Sequence, residues 1–308
     1  MRGRPAALLA AGVLAAGCAA GSGVSPAPTM TAPLPDRDGA IEFLSGQQRL
    51  TGQLSLPDGP GPFPAMILMH GCNGVGRAER GWAGALVSWG YAAFVVDSFT
   101  GRGLREVCTQ ARTLVGTQRV PDAYDALATV GRHPRVDATR IGLMGFSHGG
   151  GTTLGAATRW SREVYLGRER AGFRGFWPFY PGCNVDYPEL AQLSAPVRIH
   201  IGAADDWTRA APCESLAASL RAGGQDVVIT VYPGAHHSFD SVGRGVTRLP
   251  NVDNGSACYW RLASMTGPTL NPTEILGCRS KGATVGYSAE ATQAARERVR
   301  DELAAVLK

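Results

Sequence analysis

Three absences narrow what this chain can be. It has no block of like charge: 30 basic and 25 acidic residues are scattered over 308 positions, so a nucleic-acid partner is not expected. It has no Cys-x-x-Cys pair among its seven cysteines, so no metal ligand set is expected either. Its N-terminal apolar run, residues 6–16, falls well short of the roughly 20 residues that cross a bilayer as a helix. Neither an internal repeat nor a second core is visible, and 44% hydrophobic residues suffice for one large core.

That short run has a function of its own. Arg2 and Arg4 precede it and small residues follow, so residues 1–20 read as an export signal. Leu14-Ala-Ala-Gly-Cys18 resembles a bacterial lipobox, with Cys18 as the lipidated residue and a membrane anchor as the consequence. It departs from the pattern at Ala15, where leucine is usual, so ordinary cleavage near Ala19 or Ala20 stays an alternative. Without Arg2 and Arg4, 28 basic against 25 acidic residues leave a net charge of +3. Residues 21–35, rich in Pro, Ser, Thr and Gly, read as a flexible linker. Residues 36–308 are expected to form a single domain in the periplasm or cell envelope.

Within it, residues 41–43 and 50–56 alternate in polarity and read as an edge hairpin. Apolar runs at 65–69, 91–96, 141–144, 173–179, 197–201 and 227–231 read as strands. Helical stretches fall at 82–89, 120–130, 152–159, 209–220 and 289–307, with a long loop at 97–108. Alternating strands and helices imply an α/β fold with a mainly parallel sheet, whose chemistry gathers at the carboxyl ends of the strands.

Chemistry-bearing residues occur at three such ends. Gly145-Phe-Ser147-His-Gly149 is a G-x-S-x-G between an expected strand and an expected helix, the context of a nucleophile elbow. The motif is weak by itself in a chain with 41 glycines; its setting gives it weight. Residues 197–201 run into Gly202-Ala-Ala-Asp205-Asp206-Trp207, and the last strand runs into Ala235-His236-His237-Ser-Phe239. Serine, then acid, then histidine is the chain order of an α/β-hydrolase. A serine nucleophile needs an imidazole to take its proton and a carboxylate to orient the ring.

On these motifs the sequence resembles the dienelactone hydrolase family of α/β-hydrolases, from about residue 41 to 239, with the last helix also fitting. The family's G-x-x-D and A-x-H-x-F patterns imply Asp205 as the acid and His237 as the base, with Asp206 and His236 as alternatives. The founding enzymes carry cysteine at the elbow, where this chain has Ser147, and a glutamate near the oxyanion loop, where residues 70–76 contain no acid. Both departures point to a more general serine esterase, acting on small-molecule carboxylic esters through an acyl-enzyme without a cofactor. The oxyanion hole is expected from the backbone N–H groups of Cys72 and His148, with the His70 side chain packed beneath the loop. The rivals are a peptidase or acyltransferase on the same triad, and a non-catalytic surface lipoprotein that binds a ligand.

With Cys18 set aside, six cysteines remain and fifteen pairings are possible. Topology suggests Cys72–Cys108, Cys183–Cys213 and Cys258–Cys278. Trp177, Phe179, Tyr180 and Trp207 cluster near the expected site, with Tyr180 and Trp207 the candidates for a substrate pocket. Residues 241–287 form a cysteine-containing insertion, long for a loop and placed to cover one rim of a cleft.

Overall fold

The structure, a computed structural model, describes residues 34–307. The export signal, Cys18 and the linker up to residue 33 lie outside the described residues. The chain opens with β1 (Gly39–Ser45) and β2 (Gln48–Ser55), an antiparallel hairpin. Every second residue of β2 from Leu50 is buried, as expected of strands that put one face on a core. β3 (Phe63–Met69) is different: Ala65 to Met69 are all buried, because helices cover both faces of the sheet here.

After β3 come α1 (Arg77–Ser88), β4 (Ala92–Asp97), α2 (Val120–Val130), β5 (Val136–Phe146), α3 (His148–Ala156) and α4 (Arg159–Tyr165). Then follow β6 (Phe176–Phe179), β7 (Val185–Asp186), β8 (Val197–Gly202), α5 (Ala210–Ala222) and β9 (Val227–Tyr232). The insertion contains β10 (Thr247–Asn254), β11 (Trp260–Arg261), α6 (Pro272–Leu276) and β12 (Ser280–Val285), and α7 (Ala289–Leu307) closes the chain. Eight strands form one sheet in the order β1-β2-β4-β3-β5-β6-β8-β9. The pairings β1–β2 and β2–β4 are antiparallel, and all others in this sheet are parallel. This is the α/β-hydrolase architecture. Among the described residues no helix is long and apolar enough to cross a membrane.

Four local differences from the sequence reading have physical causes. Helix α1 begins at Arg77, five residues before the apolar signal at Trp82, because Glu79 caps the amide of Gly76. The elbow helix begins at His148 rather than Thr152; three consecutive glycines hide it from a propensity reading. It ends at Ala156, and Thr158 starts α4 by accepting from the Ser161 amide. The insertion is not a bare loop: β10 and β12 pair as an antiparallel ribbon, and β11 pairs with β7.

Candidate active site

Ser147 stands between β5 and α3 at φ 54°, ψ −110°, a backbone strain that a non-glycine residue adopts only when its surroundings impose it. They do so by close packing. A Cβ at Gly145 would lie 2.1 Å from the carbonyl oxygen of Gly149, and one at Gly149 would lie 2.1 Å from that of Met69. Only glycine fits at either position.

His237 reaches Ser147 from the segment after β9. Its Nε2 lies 2.8 Å from Ser147 Oγ and its Nδ1 2.8 Å from Asp205 Oδ2. With Nδ1 protonated, the ring donates to the carboxylate and presents Nε2 as acceptor to the serine hydroxyl. Asp205 follows β8 and is buried. Its Oδ1 accepts from the amides of Trp207 (2.9 Å) and Thr208 (2.8 Å), and the Thr208 hydroxyl lies 3.0 Å from both Asp205 Oδ2 and His237 Nδ1. The rings of Tyr180 and Trp207 flank the imidazole, with centroids 4.7 and 4.9 Å away.

The alternative acid and base lie elsewhere. Asp206 turns to the insertion, where its carboxylate accepts from the amide (2.7 Å) and hydroxyl (2.9 Å) of Thr284. His236 Nδ1 lies 3.1 Å from the carbonyl of Ala204. Neither contacts Ser147.

Cys72 lies in the loop after β3, and His148 is the first residue of α3. Gly71, Cys72, Ser147, Tyr180, Trp207 and His237 line one cavity of about 460 Å³. The His148 side chain points away from the serine: Nε2 donates to the Leu114 carbonyl (2.8 Å) and Nδ1 accepts from Arg119 (2.9 Å). Burial and the Arg119 charge push its pKa down to about 3, so the ring is neutral. His70 is buried beneath the loop. Its Nδ1 donates to the Gly71 carbonyl (2.7 Å), and its Nε2 accepts from the Ser98 amide (3.2 Å). Disulfides join Cys72 to Cys108, Cys183 to Cys213 and Cys258 to Cys278. These three bonds point to an oxidising, exported environment.

Of the four clustered aromatics, Trp177 and Phe179 belong to the core instead of the cavity. Trp177 Nε1 donates to Glu302 of α7, and Phe179 stacks on His200. Tyr180 and Trp207 do line the cavity. Tyr180 sits at φ 36° and donates its hydroxyl to the buried Asp240 (2.8 Å).

Three features escaped the sequence reading. Although residues 70–76 contain no acid, α1 brings the buried Glu79 to them: its oxygens accept from the amides of Gly71 (3.2 Å) and Gly76 (2.7 Å). A G-x-x-E start before α1 was the available signal. Arg77 and Arg80 of α1 also line the cavity together with Arg244, which lies far from them in sequence. Arg119, buried behind the elbow, looked like any surface arginine before a helix. Among the described residues no group of three or more His, Cys, Asp or Glu side chains is placed to hold a metal ion.

The chain is similar to known proteins of one kind. A protein of Bradyrhizobium named as a 2-oxo-3-(5-oxofuran-2-ylidene)propanoate lactonase is 25% identical over 207 residues, covering 63% of this chain and 80% of that protein. One of Methylorubrum extorquens named as a carboxymethylenebutenolidase is 25% identical over 214 residues, covering 65% of this chain and 72% of its own. The solved structure of a dienelactone hydrolase-like promiscuous phosphotriesterase from metagenomic libraries shares the fold, at TM-score 0.63 and 17% identity over 88% of this chain and 98% of that one. Residues 50–306 match the dienelactone hydrolase family as a whole, and the chain belongs to that family of carboxylic ester hydrolases with the α/β-hydrolase fold.

Proposed function

We propose that this protein is a serine hydrolase that opens carboxylic esters through an acyl-enzyme on Ser147. The observation that carries the reading is the unbroken run of hydrogen bonds from Ser147 through His237 to Asp205 at the wall of the cavity. His237 takes the proton of Ser147 Oγ as it attacks the ester carbonyl. The backbone N–H groups of Cys72 and His148 receive the oxyanion. His237 then protonates the leaving alcohol, and a water molecule activated by the same ring releases the acid. Asp205 holds the imidazole in the tautomer that makes this possible.

The names of the two relatives describe lactones, both of them carrying a carboxylate. Arg77, Arg80 and Arg244 supply positive charge to the cavity. Together these favour a compact ester or lactone that carries a second, ionised group. Tyr180 and Trp207 contribute apolar wall. The protein acts in the cell envelope, tethered by lipid on Cys18.

The test is labelling of residues 36–308 with a fluorophosphonate probe, alongside hydrolysis of p-nitrophenyl esters. Labelling is expected for the parent and for His236→Ala, and is expected to vanish in Ser147→Ala and His237→Ala. A folded parent that neither labels nor hydrolyses would sink the reading in favour of a ligand-binding lipoprotein. Amide cleavage or acyl transfer outpacing ester hydrolysis would sink it in favour of a peptidase or transferase.

A further inference from the structure

The peptide group between His70 and Gly71 is gripped from both sides by buried, oppositely charged groups. Its carbonyl oxygen accepts from Arg119 Nη1 (2.8 Å), and its N–H donates to Glu79 Oε1 (3.2 Å). The next residue is Cys72, whose own N–H is the expected oxyanion donor. The same Arg119 Nη1 also donates to His148 Nδ1 (2.9 Å), and His148 carries the other expected donor. One guanidinium nitrogen therefore bridges the end of β3 and the start of α3, the two places from which the oxyanion amides come.

Arg119 is an unusual residue to find there. It is completely buried, and its Nε and Nη2 have no hydrogen-bond partner among the described residues. Among the described residues no carboxylate forms an ion pair with it. The nearby Asp122 is taken by Arg102 at 2.7 Å and, like Glu79 and Asp97, acts on Arg119 only through space; the Phe99 ring lies 5.2 Å from Cζ. Burial pulls its pKa down to about 10, which leaves it charged at neutral pH. An unpaired buried cation is strongly unfavourable to a fold. It is useful where negative charge develops during a reaction, because a preorganised positive field stabilises an oxyanion in a site that excludes water.

We propose that Arg119 and Glu79 are positioning residues for the oxyanion hole, clamping the His70–Gly71 peptide between them so that the Cys72 amide is aimed at the reacting carbonyl. Arg119 in addition locks the neutral His148 ring and sets a positive charge, with no carboxylate in direct contact, behind the elbow. The inference rests on the serine-esterase reading above. Glu79 also caps α1 through Gly76, and that ordinary role must be separated from the clamp. Glutamine separates them: at this position it caps a helix as well as glutamate does, but it has a single acceptor oxygen and cannot hold both amides.

The experiment compares the parent with Arg119→Met, Arg119→Lys and Glu79→Gln, using p-nitrophenyl butyrate, a trifluoromethyl ketone and thermal unfolding. For Arg119→Met, kcat is expected to fall at least about 10-fold, with KM within about 2-fold. Removal of a whole oxyanion donor, worth about 100- to 1,000-fold, sets the upper bound. Affinity for the ketone, which forms a tetrahedral adduct on the serine, should weaken in parallel with kcat/KM. Arg119→Lys should recover part of the loss by restoring the charge. Glu79→Gln should lose kcat by far more than the small Tm drop from one unpaired buried amide explains.

A folded Arg119→Met with parental kcat and ketone affinity would overturn the inference, as would activity that merely follows Tm across the series. If Arg119→Met does not fold, Arg119→Lys and Glu79→Gln decide: parental kcat in both overturns it. A parent inert to esters and to the fluorophosphonate would be a different failure, that of the esterase reading, and the inference would fall with it.

Discussion

Asp205 and Asp206 are neighbours with the same side chain, and their surroundings give them different work. The Asp205 carboxylate is enclosed, accepts two backbone amides and faces His237. The Asp206 carboxylate, 42% exposed, holds Thr284 of the insertion. Asp205→Asn should therefore leave the Tm nearly unchanged while kcat falls by about 10³- to 10⁴-fold, the range seen when an orienting carboxylate is lost and the histidine takes the wrong tautomer. Asp206→Asn should keep kcat within about 3-fold and cost about 1 kcal/mol, a Tm drop of roughly 2–4 °C. Steady-state kinetics and calorimetry on the two variants check this, and a reversed pattern would reassign the acid. The order Ser147, acid, histidine was legible in the sequence because each follows a strand recognisable by its apolar run. The choice within each doublet rested on the family pattern, because adjacent polar residues in a loop carry no periodicity. Thr208 and Arg119 were not legible as parts of a site, and Glu79 only as a helix start: each matters through a contact between segments that local pattern does not encode.

At the scale of elements, α1 is the piece whose position the site depends on. Its first turn supplies Glu79 to the loop after β3 and Arg77 and Arg80 to the cavity, and Trp82 further along docks on the segment that carries His237. Trp82 Nε1 donates to Asp240 Oδ2 (2.7 Å), and Tyr180 donates to Asp240 Oδ1. Burial pushes the Asp240 carboxyl up against the effect of these bonds, so the folded protein retains a proton that an unfolded aspartate releases near pH ~4. The native state then binds more protons than the unfolded state, and stability declines as pH rises from about 4 towards the raised value. Asp240→Asn removes that titration, and asparagine can accept from Trp82 while its NH₂ group donates to the Tyr180 oxygen. Its Tm should fall less steeply than the parent's between pH 4 and 7; parallel curves would show that Asp240 does not titrate there. The arginines make a separate prediction. Each of these solvent-reached charges contributes up to about 1 kcal/mol, so Arg77→Gln, Arg80→Gln and Arg244→Gln should each lower kcat/KM for mono-p-nitrophenyl succinate by about 2- to 5-fold. Turnover of neutral p-nitrophenyl butyrate should stay unchanged, and equal losses on both esters would remove the case for an anionic substrate.

Across the whole molecule, the insertion connects the parts of the site that the sheet holds apart. Asp253 donates its amide to the Cys108 carbonyl (2.7 Å), and its own carbonyl accepts from Trp207 Nε1 (2.8 Å). Thr284 holds Asp206, and the Gly286 amide donates to the His237 carbonyl (3.1 Å). The Cys72–Cys108 bond extends this brace to the loop after β3, the proposed source of one oxyanion donor. Closing segments of 36, 30 and 20 residues, each disulfide contributes about 3–4 kcal/mol by the loop-entropy relation. Their consequences should nevertheless differ. The Cys72→Ala/Cys108→Ala double variant leaves the Cys72 backbone amide in place, so any change in chemistry reflects the lost brace. It should lower Tm by about 10 °C and reduce kcat, with KM little changed. The Cys183→Ala/Cys213→Ala variant should lower Tm by a similar amount and leave kcat within about 2-fold, because that bond ties α5 to the segment after β6, away from the oxyanion loop. Turnover of p-nitrophenyl butyrate well below each Tm tests the distinction: parental kcat without the Cys72–Cys108 bond would show that the loop is held without it.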